Sequence, residues 1–207
     1  VHLGKGDEIA DRSFNYAGNG TTLKSKSIFE YGTITTGTIA DGSSGTLASA
    51  TSSSDAVMVR SVSYKLASSS YTAAVVKTSE TYYDVHLGKG DEIAGKSFNY
   101  AGNGTTLKSK SIFEYGTIAT GTIADGSTGT PAAVTSSSDA VMVRSVSYKL
   151  ATSSYTATAT RTSETYYDVH LGKGDEIADR SFNYAGNGTT LKSKSIFEYG
   201  TIATGTI

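Results

Sequence analysis

The feature that most constrains this chain is its repetition. The run Val-His-Leu-Gly-Lys-Gly-Asp-Glu starts at Val1, Val85 and Val169, so the period is 84 residues. Residues 169–207 return to the start of the repeat. The three copies of this stretch differ only at Asp11/Gly95/Asp179, Arg12/Lys96/Arg180 and Thr35/Ala119/Ala203. The other 45 positions, present twice, differ at nine places, among them Leu47/Pro131 and Val76/Thr160. Self-similarity at a fixed period decides the architecture before any local propensity does. Solenoid repeats run about 20–50 residues and cannot close a core singly. A longer unit has the size of a small domain, but buries only roughly 60–65% of its unfolded surface, so it gains from contact with its neighbours.

Sequence phase and structural phase need not coincide. Residues 40–55 and their twin 124–139 are built from small polar residues, and the second carries the only proline, Pro131. Such composition reads as a linker. It sets β units at 56–123 and 140–207, with 1–39 as the C-terminal part of a further unit. Val1 corresponds to Val85 within Tyr-Tyr-Asp-Val-His-Leu, a strand pattern. A start within a strand suggests a fragment of a longer array, or a missing strand supplied by a neighbouring chain.

Alternation, not helical periodicity, dominates. In residues 56–66 one face carries Met58, Arg60, Val62, Tyr64 and Leu66, and the other Val57, Val59, Ser61, Ser63 and Lys65. In residues 71–87 the spacing assigns Tyr71, Ala73, Val75, Tyr83, Val85 and Leu87 inward, and Thr72, Ala74, Val76, Thr78, Glu80 and Tyr82 outward. The second copy agrees in type, since Ala74 and Val76 become Thr158 and Thr160. Residues 13–29 read as a hairpin about Asn19-Gly20, a pair that tolerates positive φ. Residues 28–39 continue as strand with glycines, and residues 4–12 suit a short helical turn. These elements predict an all-β chain of tandem antiparallel β-sandwich units of immunoglobulin-like size.

Composition excludes several classes. There is no cysteine, hence no disulfide or thiolate metal site. A net charge of −1 argues against nucleic acid as a partner, and no apolar run is long enough for a membrane-spanning helix. Ser and Thr supply 26 of the first 84 residues, and Tyr outnumbers Phe 14 to 6. The generic pattern of tandem, low-charge, Ser/Thr-rich β units resembles the repeat regions of bacterial or archaeal surface adhesins and extracellular filaments. That resemblance covers the whole chain and implies a cell-surface or extracellular location.

Candidate chemistry is sparse. Each copy has one histidine, His2, His86 or His170, near an aspartate such as Asp84, but no G-x-S-x-G nucleophile motif occurs. The expectation is no enzyme, no catalytic residue and no cofactor. Calcium is the metal these loops could suit, at Gly6-Asp7-Glu8 with Asp11, and at Asp41-Gly42-Ser43, both rich in oxygen donors. Asn19, Asn103 and Asn187 each open an Asn-Gly-Thr glycosylation acceptor, although the same residues make a good turn. Thr33, Thr35 and Thr38, and the threonines from Thr156 to Thr162, suggest hydroxyl rows. Lys24, Lys26, Asn15 and Glu30 lie close enough in sequence to offer a Lys–Asn isopeptide cross-link assisted by a carboxylate. The favoured function is a structural or adhesive repeat protein, a segment of a stalk or filament assembled by β-strand contacts with copies of itself. The alternative is a multivalent glycan- or surface-binding array, with Tyr82 and Tyr166 as exposed stacking rings.

Overall fold

The computed structural model describes residues 8–135 and 137–200. His2, Asp7 and the start at Val1 lie outside them. The strands are β1 Arg12–Tyr16, β2 Leu23–Gly32, β3 Thr46–Leu47, β4 Val57–Leu66, β5 Val75–Asp84 and β6 Ile93–Tyr100. They continue with β7 Leu107–Gly116, β8 Thr130–Pro131, β9 Val141–Leu150, β10 Ala159–Asp168, β11 Ile177–Tyr184 and β12 Leu191–Ile196. The chain is all-β, and its strands form one antiparallel sheet in the order β1-β2-β4-β5-β6-β7-β9-β10-β11-β12. The two short strands extend it, β3 beside β2 and β8 beside β7. No gap in the sheet corresponds to the expected unit boundaries.

The expected sandwich is not what forms. A second sheet is unnecessary because the repeat covers one face with its own connections. Ile39, from the segment between β2 and β4, packs on Tyr82 and Phe98 and also on Val57, Val59 and Val85. From the opposite direction, Tyr155 in the β9–β10 hairpin tip sets its ring edge-on to Phe98, 5.0 Å between centroids. The cover over β5 and β6 therefore comes from two different copies, Ile39 from one and Tyr155 from the next.

The covered face is identified by Val62, Glu80, Tyr82 and Phe98, all at most 1% exposed. This corrects the face assigned to β5. Glu80 and Tyr82 point into the core, while Val75 is 39% exposed. Residues 71–74 form a turn, not strand, and a register shift at Tyr82/Tyr83 breaks the two-residue period before Val85. β4 shows the same effect. Arg60, Val62 and Leu66 are buried as read, but so are Val57 and Val59. Glu30 pairs with Arg60 and Tyr31 with Met58, leaving Val59 as the extra residue of a bulge. A bulge rotates what precedes it, which puts both valines on the covered side.

Residues 40–55 are packed, not a spacer. β3 pairs Leu47 with Glu30, Ala48 is buried, and the Gly45 N–H donates to Glu30 at 2.9 Å. Pro131 sits in the short strand β8, a place where a missing N–H is tolerated. The β1–β2 hairpin is present, with Gly20 at φ 70°. Asn19 is not at positive φ, contrary to expectation. It closes the turn through its side chain, whose carbonyl accepts the N–H groups of Thr21 (3.1 Å) and Thr22 (3.0 Å). The segment equivalent to residues 4–12 in the second copy makes turns leading into β6.

Candidate functional site

On the covered face, cross-strand register brings together charges that are far apart in the chain. Glu30 lies opposite Arg60, and Glu80 one pair further on opposite Val62. Arg60 Nη2 donates to Glu80 at 2.7 Å, and Nη1 donates to the Ser43 carbonyl and Ser44 Oγ, each at 2.8 Å. Glu80 also accepts from Tyr100 OH at 2.7 Å and from Tyr155 OH, and these two hydroxyls are 2.6 Å apart. Burial alone would raise the Glu80 pKa. The two tyrosine hydroxyls and the Arg60 and Lys77 charges outweigh it, so Glu80 lies below the usual carboxylate range. The second copy repeats the chain as Glu114, Arg144, Glu164 and Tyr184. Burial, then the bond to Glu164, pushes the Tyr184 hydroxyl up to about 12. A buried carboxylate held charged by an arginine and two phenols does not open to a substrate. It fixes the β4–β5 register and ties Tyr155 of one copy to Glu80 of the preceding one.

Tyr82 and Tyr166, expected to be surface rings, are each 0% exposed. Their hydroxyls accept from the N–H of Gly42 (2.8 Å) and of Gly126 (2.9 Å). The ring plane is spent on Phe98 and Phe182, so neither can stack on a ligand. Asn19, Asn103 and Asn187 are exposed at hairpin tips, each with its amide nitrogen donating to a threonine hydroxyl at 2.7–2.8 Å.

His86 does bond Asp84, through Nδ1, while Nε2 faces the Thr135 carbonyl at 2.5 Å. The Asp84 bond first, then the Thr135 carbonyl, raise the imidazole pKa. The other oxygen of Asp84 accepts from Thr38 Oγ1 at 2.6 Å. With acceptors at both ring nitrogens, His86 clamps the segment after β8 to the end of β5. Among the described residues, no serine hydroxyl hydrogen-bonds the His86 ring.

The acidic loops are also engaged. Asp41 lies 2.5 Å from Lys96, and Asp125 bonds Arg180 and Lys194. Glu92 accepts the N–H of Met58 (3.1 Å) and of Gly90 (3.0 Å). Among the described residues no three His, Asp or Glu side chains converge to hold a metal, and no helix is long and apolar enough to cross a membrane. Asn15 shares its face with Ser25, to which it donates at 3.1 Å, whereas Lys26 and Glu30 project from the opposite face. The isopeptide triad is therefore not assembled. Thr33 and Thr35 sit at a short 3₁₀ turn rather than in a flat strand row.

The uncovered face carries a pattern that sequence reading missed. Every long strand contains a tripeptide whose outer residues are Ser, Thr or Asn: Ser13-Phe14-Asn15, Ser25-Lys26-Ser27, Ser61-Val62-Ser63, Ser79-Glu80-Thr81, and their repeats up to Ser193-Lys194-Ser195. Register joins them into rows. One runs Ser61, Thr81, Ser97, Ser111, Ser147, Ser163, Asn183 and Ser193 across eight adjacent strands. Ser27 and Ser63 hydroxyls are 3.0 Å apart, Ser111 and Ser147 3.1 Å. Half-buried Phe29 and Phe113 flank the row opposite Ser61 and Ser145. The hydroxyls of Tyr83 and Tyr167 bond the same two serines at 3.2 and 3.1 Å. The signal was the alternation of S-x-S within each strand, with strand spacing of about 4.8 Å converting it into a lattice.

No protein-family model, curated protein or solved structure matches this chain.

Proposed function

We propose that this chain is a structural and adhesive segment of an extracellular or cell-surface stalk or filament. The observation that carries this reading is the sheet that runs unbroken through successive repeats. β5 pairs with β6 across the sequence boundary at Val85, with Asp84 opposite Ile93. Tyr155 and Glu80, and Lys96 and Asp41, join neighbouring copies across the same boundary. Load along such an array passes through strand ladders rather than flexible joints. Contacts with further copies would use strand edges, since an unpaired edge readily accepts a strand. Electron microscopy of the purified chain tests this. Rods or fibres that lengthen as 84-residue units are added are expected. A compact monomer whose length does not scale with repeat number would overturn it.

A multivalent glycan-binding array is the second reading. It is favoured by the row of neutral hydroxyls flanked by Phe29 and Tyr83, which replaces the enclosed Tyr82 as a platform for sugar. Binding of neutral oligosaccharides to the whole chain, lost on converting Ser111 and Ser147 to Glu, would support it.

A further inference from the structure

Two cavities recur one period apart at the ends of the strands. The first, about 370 Å³, is walled by Lys65, Leu66, Val76, Lys77, Tyr100 and Gly102. Its twin, about 340 Å³, is walled by Lys149, Leu150, Thr160, Arg161, Tyr184 and Gly186. In each, a cation is held on an aromatic ring: Lys77 Nζ lies 4.6 Å from the Tyr100 centroid, and Arg161 Cζ 3.8 Å from that of Tyr184. The carboxylate behind, Glu80 or Glu164, is 3.6 or 3.5 Å from the same cation. Arg60 or Arg144 contacts that carboxylate at shorter range and also pairs with Glu30 or Glu114, so these two cations and two carboxylates balance. Lys65 and Lys149 are exposed and enter no ion pair among the described residues. The unmatched positive charge of each cavity is therefore this exposed lysine, set beside the cation on its tyrosine and above a wall of Leu, Ala and Gly.

The differences between copies point to the same place. Of the nine that separate residues 40–84 from 124–168, four are consecutive, at 74–77. Two of these, Val76/Thr160 and Lys77/Arg161, form cavity wall. Wall polarity changes while the cation, the tyrosine beneath it and the second lysine stay. That is the pattern of a site that keeps one class of ligand and varies its fit.

We propose that these cavities are two equivalent subsites for an acidic polysaccharide, each taking one sugar residue with its carboxylate or sulfate on the paired cations. The volume is at the small end of ligand cavities, suited to one ring and larger than a bare oxyanion. The apolar wall suits the C–H face of a pyranose, and the ammonium and guanidinium groups supply charge-assisted hydrogen bonds. Occupation of both subsites by one polymer multiplies weak single contacts. The proposal goes beyond the stalk reading and does not depend on it.

Calorimetric titration of the whole chain tests it. The probes are a hexuronate disaccharide, its neutral carboxyl-reduced counterpart, and inorganic phosphate. The uronate is expected to bind at two sites per chain, more weakly as salt rises. The neutral sugar should bind at least about tenfold more weakly, the size of one lost charge-assisted hydrogen bond, and phosphate also more weakly, because it lacks the ring that packs on the apolar wall. Lys65→Glu should reduce the count to one site, and Lys65→Glu with Lys149→Glu should abolish binding while the melting temperature stays unchanged. Lys77→Gln, which keeps the wall but removes a cation, should weaken one site alone. No uronate binding, equal binding of the neutral sugar or phosphate, or undiminished binding by the double variant would each overturn the proposal.

Discussion

Tyr71 and Tyr155 occupy the same position in successive copies, so one substitution made at both isolates the effect of the neighbouring repeat. Tyr155 OH donates to Glu80, a carboxylate with no exposed surface, and lies 2.6 Å from Tyr100 OH. Tyr71 is 58% exposed, and among the described residues its hydroxyl meets only that of Tyr16, at 2.7 Å. Phenylalanine keeps the ring and its packing on Phe98 in one case and on Phe14 in the other. What Tyr155→Phe removes is a hydrogen bond to a buried charge, about 1.5–3 kcal/mol. Tyr71→Phe removes an exposed one and should stay within about 0.5 kcal/mol. A chain of this size shifts its Tm by about 2–4 °C per kcal/mol. Thermal melts followed by circular dichroism at neutral pH should therefore drop by roughly 3–12 °C for Tyr155→Phe and about 2 °C or less for Tyr71→Phe. The gap should close in acid, once Glu80 is protonated. Equal shifts for the two variants would show that Tyr155 does not bridge copies, and would refute the interlocked-repeat argument.

Three further outcomes follow from the same geometry. Gly42 and Gly126 both have positive φ, at 83° and 79°, but a Cβ on Gly42 would lie 2.8 Å from the Tyr155 ring and one on Gly126 meets nothing. Gly42→Ala should therefore lower Tm more than Gly126→Ala, and equal losses would mean the hairpin tip is not seated there. Arg60→Ala leaves Glu80 buried without its main partner and should cost about 3–5 kcal/mol in denaturant unfolding; a loss below about 1 kcal/mol would show the charge chain is not buried. Stability should also fall on both sides of a plateau. Glu80, Glu164 and Asp84 are held below the usual carboxylate range, so their contribution is complete above about pH 4.5 and lost as pH falls through the lowered values. His86 is raised, so its contribution is complete below about pH 6.5 and lost as pH rises through the raised value. Melts across pH should show the upper limb disappear in His86→Ala; an unchanged limb would remove His86 as its cause.

Much of the local structure was legible. The Asn-Gly hairpins, the antiparallel strands and the run of Arg60, Val62 and Leu66 on one face depend on neighbours within a few residues. Alternation points to a sandwich because a half-apolar strand needs a cover, and a second sheet is the usual one. The actual cover, Ile39 and Tyr155, comes from segments about forty and seventy residues from the residues they shelter, and hydropathy carries no record of that distance. The same gap misplaced Tyr82, whose neighbour Glu80 is charged and so reads as solvent-facing until Arg60, Tyr100 and Tyr155 are brought to it. The hydroxyl row was equally hidden, because S-x-S in one strand is ordinary and becomes a surface only when ten strands are set in register.

The sequence by itself therefore determined the period, the antiparallel β character and the turns, since alternation and turn chemistry act over a few residues. Only the tertiary structure decided that the copies share one sheet, that the lid over β5 and β6 is completed by the next repeat, and which face is buried. Those outcomes rest on register, on bulges that shift the two-residue phase, and on charge pairs whose burial is tolerable only once every partner is in place.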